Sequence, residues 1–299
     1  MPTSTSRALL GAALAILALT SCSAGSDKEA GGTRSLPPLD MEPGVIHVHG
    51  LGVDPGNGTL YAATHSGLFR ISEQGQAERI ANRAQDTMGF SVVGPGQFIG
   101  SGHPDPLEDD VRPPLLGLIE SDDAGLTWDR LSLHGEADFH ALVAAHGQVY
   151  GYDSTSGTFM VTGDKKEWDR RSRLPMLGFA VDPADPDKVV AATPDGPVVS
   201  ADGGRTWTPL AAGAPPLAVL SWTEGTGLFG AAGDGTVHRS GDGGRTWQRT
   251  GSVGGEPEAL AVDTDAAAVR VHVAVAGSGI VVSRDGGRTF EVRYAEAGP

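Results

Sequence analysis

Four of the nine histidines in this chain stand at two recurring kinds of position. His49 and His140 open short apolar runs, in Val48-His49-Gly50-Leu51 and Phe139-His140-Ala141-Leu142, and Met88 opens a third, Met88-Gly89-Phe90-Ser91. His65 and His103 fall in the polar breaks that follow the next run, in Thr64-His65-Ser66-Gly67 and Gly102-His103-Pro104-Asp105. Imidazole with thioether suits copper, Cu(I) above all, whereas imidazole with carboxylate suits Zn(II) or Cu(II). Carboxylates at comparable places are Asp153 and Glu258, and His47 precedes His49 by two, which puts both on one side of an extended strand. Asp105 stands in an acidic, Pro-rich insertion at 102–114 with Glu108, Asp109, Asp110 and Arg112, which reads as a solvated loop and otherwise as a lid over the rim or a source of oxygen ligands for Ca(II). His49, His65, Met88, His103 and His140 are therefore the candidate metal or ligand site. His47, Asp105, Asp153 and Glu258 are secondary candidates, and copper and zinc are the candidate cofactors. The opposing reading makes the histidines partners of buried backbone groups and Met88 ordinary packing. The sequence holds no compact His-x-x-x-His ligand motif.

The elements that must position these residues announce themselves by repetition. Ser-x-Asp-x-Gly-x-Thr-Trp occurs at 121–128, 200–207 and 240–247, and with Phe290 in place of Trp at 283–290. Eroded copies stand at Thr162-Gly163-Asp164-Lys165-Lys166-Glu167-Trp168 and at Ser72-Glu73-Gln74-Gly75. Asp123, Asp202, Asp242 and Asp285 can accept turn N–H groups while the following Gly takes φ > 0. The flanking hydroxyls can satisfy what the turn leaves unpaired. Trp128, Trp207, Trp247 and Phe290 then begin the next strand and bury their rings between repeats. Successive copies are separated by 49, 41, 38, 40 and 43 residues, the period of a four-stranded propeller blade. Six copies predict an all-β, six-bladed β-propeller, with seven blades the weaker alternative. In that arrangement the start of each innermost strand and the loop after the second strand share one rim of the central channel. The first three blades bring four His and one Met there; the others bring Leu177, Ala218 and Glu258.

The repeat resembles the Asp-box, or bacterial neuraminidase repeat, of sialidase-like β-propellers, in which the box is structural. Sialidase activity would need an arginine triad, a Tyr nucleophile with a Glu partner, and an Asp acid. The nearest approach to the Phe-Arg-Ile-Pro segment is Phe69-Arg70-Ile71-Ser72, beside an eroded box, and Arg205, Arg245 and Arg288 lie inside boxes. The region after residue 44 also resembles bacterial lipoproteins with sortilin-like propellers that are loosely labelled glycosyl hydrolases. The segments that carry this are 47–55, 63–70, 101–105 and 138–142. That resemblance implies the fold and no established reaction. Three functions follow as expectations: a binding or assembly protein with a metal-capable rim, a sialidase-like glycosidase on the same face, or a purely protein-binding propeller.

Composition bounds the partners and the compartment. The chain has 299 residues, enough for one closed propeller, and 44 Gly and 20 Pro that fall between alternating apolar runs. A formal charge of −15 argues against nucleic acid and leaves a small ligand, a cation or a protein as partner. Arg7, the apolar stretch 8–19, and Leu19-Thr20-Ser21-Cys22 look like a bacterial lipoprotein signal, too short to span a bilayer as a mature helix. The expected domains are a signal peptide at 1–21, lipidated Cys22 with a flexible tether at 22–44, and the propeller at 45–299. The protein is then exported and held on the outer face of the bacterial cell membrane through Cys22. That Cys is the only one in the sequence, so no internal disulfide supports the fold.

Overall fold

The computed structural model describes residues 44–108, 113–265 and 268–296. The signal peptide, Cys22 and almost all of the tether lie outside them, as do Asp109, Asp110 and Arg112 of the 102–114 insertion. The chain forms six sheets of four antiparallel strands, each taken from consecutive sequence. This is a six-bladed β-propeller, with blades at 48–79, 86–132, 139–173, 178–209, 217–252 and 257–295. The innermost strands are Val48–Val53, Asp86–Gly94, Phe139–Ala145, Gly178–Asp182, Leu217–Thr223 and Pro257–Asp265. They line a channel of about 1270 Å³.

Six apolar clusters hold the ring, one at each boundary between neighbouring blades. At each, one face of a sheet buries against the facing sheet, which is why the inner strands are nearly continuous apolar runs. Blade six closes on blade one in the same manner. Leu51, Phe69 and Ile71 meet Ala259, Ala261 and Ile280. The Tyr294 hydroxyl takes the Val45 N–H at 3.4 Å, and Arg293 pairs with Glu73. Among the described residues no strand is shared across this closure.

The repeated turns explain the period. Ser200 Oγ donates to Asp202 Oδ1 at 2.8 Å and accepts the buried Gly204 N–H at 2.7 Å. Asp202 in turn accepts the Thr206 N–H at 2.9 Å and the Thr206 hydroxyl at 2.6 Å. The same set recurs around Asp123, Asp242 and Asp285. Hydrogen bonds from the Thr side chain and backbone, with those from the Ser and neighbouring N–H groups, hold these carboxyls below their usual range. Trp207, at the eighth position, packs onto the preceding blade: it meets Phe159 edge-on at 5.5 Å and donates to Ser172. Trp168, which ends the shortened copy, stacks on Phe139 of its own blade at 4.8 Å and donates to Ser132 of the preceding one.

Candidate metal centre

One backbone irregularity builds the rim. In five blades the register between first and second strand skips a residue, and the skipped residues are His49, Met88, His140, Ala218 and Glu258. An extra residue in one strand bends it and re-aims the side chain. Blade four shows no such skip, and Leu177 lies just outside its first strand with its N–H on Ala192 O. The other rim position follows the second strand: His65 N–H meets His47 O, Ser154 N–H meets Asp138 O, and Asp86 lies opposite His103 in blade two.

Two carboxylates that precede bulge residues by two draw the histidines into clusters. Asp86 joins blade two to blade one. Its Oδ2 lies 2.9 Å from His65 Nδ1, and its Oδ1 lies 3.4 Å from His49 Nε2. The two rings sit edge to face with centroids 6.3 Å apart. One ligand-type atom from each of His49, His65 and Asp86 falls within 4.8 Å of the other two. His49 Nε2 and Asp86 Oδ1 are buried and make no hydrogen bond to the described residues, while the His65 side chain is 64% exposed.

Asp138 does the corresponding work at the next boundary. Its Oδ2 lies 2.9 Å from His140 Nε2 and 3.7 Å from His103 Nε2. Ser154 Oγ donates to the same oxygen at 3.4 Å. His103 Nδ1 donates to Pro114 O at 3.0 Å, since a carbonyl oxygen can only accept. Asp138 Oδ1 is buried and makes no hydrogen bond to the described residues. Burial pushes the Asp138 carboxyl up, but the His140 hydrogen bond and the charges of His140 and His103 more than offset it and hold the group below its ordinary range.

The secondary candidates take other duties. Asp153 accepts the backbone N–H groups of Asp138 at 3.0 Å and Thr155 at 3.2 Å, and the Ser156 hydroxyl; it shapes the turn. Asp105 is buried rather than solvated, and accepts the Ala84 N–H at 2.7 Å and the Leu107 N–H at 2.8 Å, pinning the insertion to the connection between blades. Glu258 accepts the Val48 N–H at 3.1 Å and lies 3.6 Å from His47 Nδ1. His47 itself does not continue the strand to His49. Its φ of 49° turns it away, and its side chain is exposed.

Sequence reasoning passed over Asp86 and did not place Asp138 in the site. The signal was available: each stands two residues before a bulge residue, in Asp86-Thr87-Met88 and Asp138-Phe139-His140. His49, His140 and Glu258 all face the channel, together with residues from every blade.

No protein-family model matches the chain, and no curated protein does. Solved structures do. A GH74 xyloglucanase from Xanthomonas campestris superposes with a TM-score of 0.52 at 17% identity, over 77% of this chain and 37% of the enzyme. This chain thus spans little more than a third of that protein. YCF48 from Cyanidioschyzon merolae gives a TM-score of 0.54 at 11% identity, over 81% of this chain and 96% of its own. A YCF48 with a bound peptide gives 0.50 at 15%, over 86% and 87%. At these identities the likeness shows the fold, a β-propeller, and nothing of the activity.

Proposed function

We propose that this chain is an exported, lipid-anchored binding propeller that holds a transition-metal ion of the Zn(II) or Cu(II) class at the rim between blades one and two. The observation that carries this reading is the convergence of His49, His65 and Asp86, in which buried His49 Nε2 and buried Asp86 Oδ1 face each other at 3.4 Å and make no hydrogen bond to any described residue. Buried polar atoms without partners are costly, and a cation between them satisfies both. Two imidazoles and a carboxylate form the three-ligand set of an open zinc site, with the fourth position left to solvent or a further ligand. The exposed His65 ring offers the way in. Export and anchoring rest on the 8–19 apolar stretch and Cys22. A purely protein-binding propeller is the second reading, favoured by the matching length of the peptide-bound YCF48.

Titration of the full chain with Zn(II) and Cu(II), purified in detergent without a His tag, tests the proposal. One equivalent of Zn(II) binds more tightly than micromolar and is lost in the His49→Ala/His65→Ala variant. At a free concentration 100 times Kd the ion adds about 2.7 kcal/mol to the unfolding free energy, read as a raised Tm. Binding weaker than micromolar removes the metal reading and leaves the peptide-binding one.

A further inference from the structure

We propose that Asp105, from the 102–114 insertion, is a positioning residue for the rim site: it fixes the segment that aims Asp86 at His65 and His49, and so sets how tightly the site holds its ion. The inference rests on the metal reading of that site and adds the residue that braces it.

Asp86 delivers its carboxylate from the very end of a strand. It is the first residue of Asp86–Gly94 and pairs with His103 on the end rung of the ladder. Residues 83–85 before it belong to no strand or helix, so the segment is held by what packs against it. On one side stands blade one: a Cβ on Gly67 would lie 2.4 Å from Arg83 O, which places the segment hard against the turn that follows His65. On the other side stands the insertion. Asp105 is 6% exposed, and its two carboxylate oxygens divide the work. Oδ2 accepts the buried Ala84 N–H at 2.7 Å. Oδ1 accepts the Leu107 N–H at 2.8 Å, and the Asp105 carbonyl takes the Glu108 N–H at 3.0 Å, which closes the insertion's own turn. Arg83 Nε and Glu108 Oε1 add a second tie at 3.2 Å.

These ties bear on the ligand set because Ala84 stands two residues before Asp86. A hydrogen bond from a backbone N–H to a buried carboxylate is charge-assisted and short. Without it the Ala84 N–H is left buried and unbonded, and the segment must shift to satisfy it. The ligand set tolerates little shift. Asp86 Oδ2 stands 2.9 Å from His65 Nδ1 and Oδ1 stands 3.4 Å from His49 Nε2, and an ion drawn between them needs bonds of about 2.0–2.2 Å to each. Groups that hold a ligating carboxylate in place are worth about 10–100-fold in metal affinity. Asp153 supplies the comparison. It brackets blade three in the same manner, on the N–H groups of Asp138 and Thr155, but its bracket leads to Asp138 and not to Asp86.

Zn(II) titrations of the full chain, in detergent without a His tag, compare the wild type with Asp105→Ala, Asp105→Asn and Asp153→Ala. Asp105→Ala weakens Zn(II) by about tenfold or more. Asp105→Asn, the milder change, keeps one acceptor oxygen and weakens it less. Asp153→Ala lowers Tm and leaves the affinity within about twofold. The metal-free protein gives a readout that no ion enters: the NMR signals of isotope-labelled histidine rings. There the His49 and His65 signals of Asp105→Ala move toward those of Asp86→Ala, and Asp105→Ala adds no further movement in the Asp86→Ala background. Wild-type affinity in Asp105→Ala overturns the proposal, as does an equal loss in Asp153→Ala, which would mark a general effect of stability. His49 and His65 signals unmoved by Asp105→Ala overturn it as well. A wild type that holds no Zn(II) removes the metal reading, and with it any effect of Asp105 on affinity; the ring signals then still decide whether Asp105 places Asp86.

Discussion

Three glycines in the repeated turns separate backbone strain from packing, and replacing each by Ala measures the two apart. Gly204 has φ +89°, and a Cβ there would stand 2.1 Å from Phe159 Cε1 and 2.5 Å from Cδ1. Phe159 has no room to retreat. It is fully buried and makes edge contacts with Phe179 at 5.1 Å and Trp207 at 5.5 Å. Gly286 has φ +75° with nothing within 4 Å, and Gly241 has open space and no positive φ. A left-handed residue with a Cβ costs about 1 kcal/mol, a cost the fold already bears at Ala124, φ 59°, and Lys165, φ 61°. Forcing a methyl into a packed core adds about 1–3 kcal/mol. Gly241→Ala is thus near neutral, Gly286→Ala costs about 1 kcal/mol, and Gly204→Ala about 2–4 kcal/mol. At about 2–4 °C per kcal/mol for a domain of this size, the last lowers Tm by about 4–16 °C. Guanidinium unfolding followed by tryptophan fluorescence, at unchanged m, gives the free energies. Gly204→Ala within about 0.5 kcal/mol of Gly286→Ala would refute the argument that this glycine exists to seat the neighbouring blade's aromatic ring.

Ser240→Ala removes the acceptor for the buried Gly244 N–H, bonded at 2.8 Å. It lowers stability by about 1–3 kcal/mol, while Ser252→Ala on an exposed strand end stays within about 0.5 kcal/mol in the same denaturation assay. Asp138 sets an acid limit. Its folded carboxyl titrates below the unfolded value of about 3.9. Its contribution is therefore complete above that value and is lost as pH falls through the depressed folded one. Asp138→Asn flattens the stability profile below about pH 4; a profile parallel to wild type below pH 4 contradicts the assignment.

The fold was legible because its period is written in residues that have few other uses. Four copies of Ser-x-Asp-x-Gly-x-Thr ending in an aromatic mark where each third strand ends, and the count of blades follows from their spacing. The rim was legible in part. His49, Met88 and His140 could be aligned from their place in the repeat, but the bulges at which they sit have no signature in side-chain type, since the skipped residues are His, Met, Ala and Glu alike. Which carboxylates join them depended on contacts across blade boundaries. Asp153 and Asp105 looked like ligands by position and are consumed by backbone N–H groups. Asp86 and Asp138 serve a neighbouring blade, a relation that local sequence does not display.

The six sheets share no strand, so each blade boundary is a seam of side chains between bodies that are separately hydrogen-bonded. The Asp86 cluster lies across one such seam, with His49 and His65 on one side and the carboxylate on the other; the Asp138 cluster lies across the next. Any group gripped from both sides of a seam acts there as a rivet, its hold set by the spacing of two plates. Occupancy of the rim and the stiffness of the ring are thereby one mechanical quantity, and a strain that spreads two blades loosens whatever they hold between them.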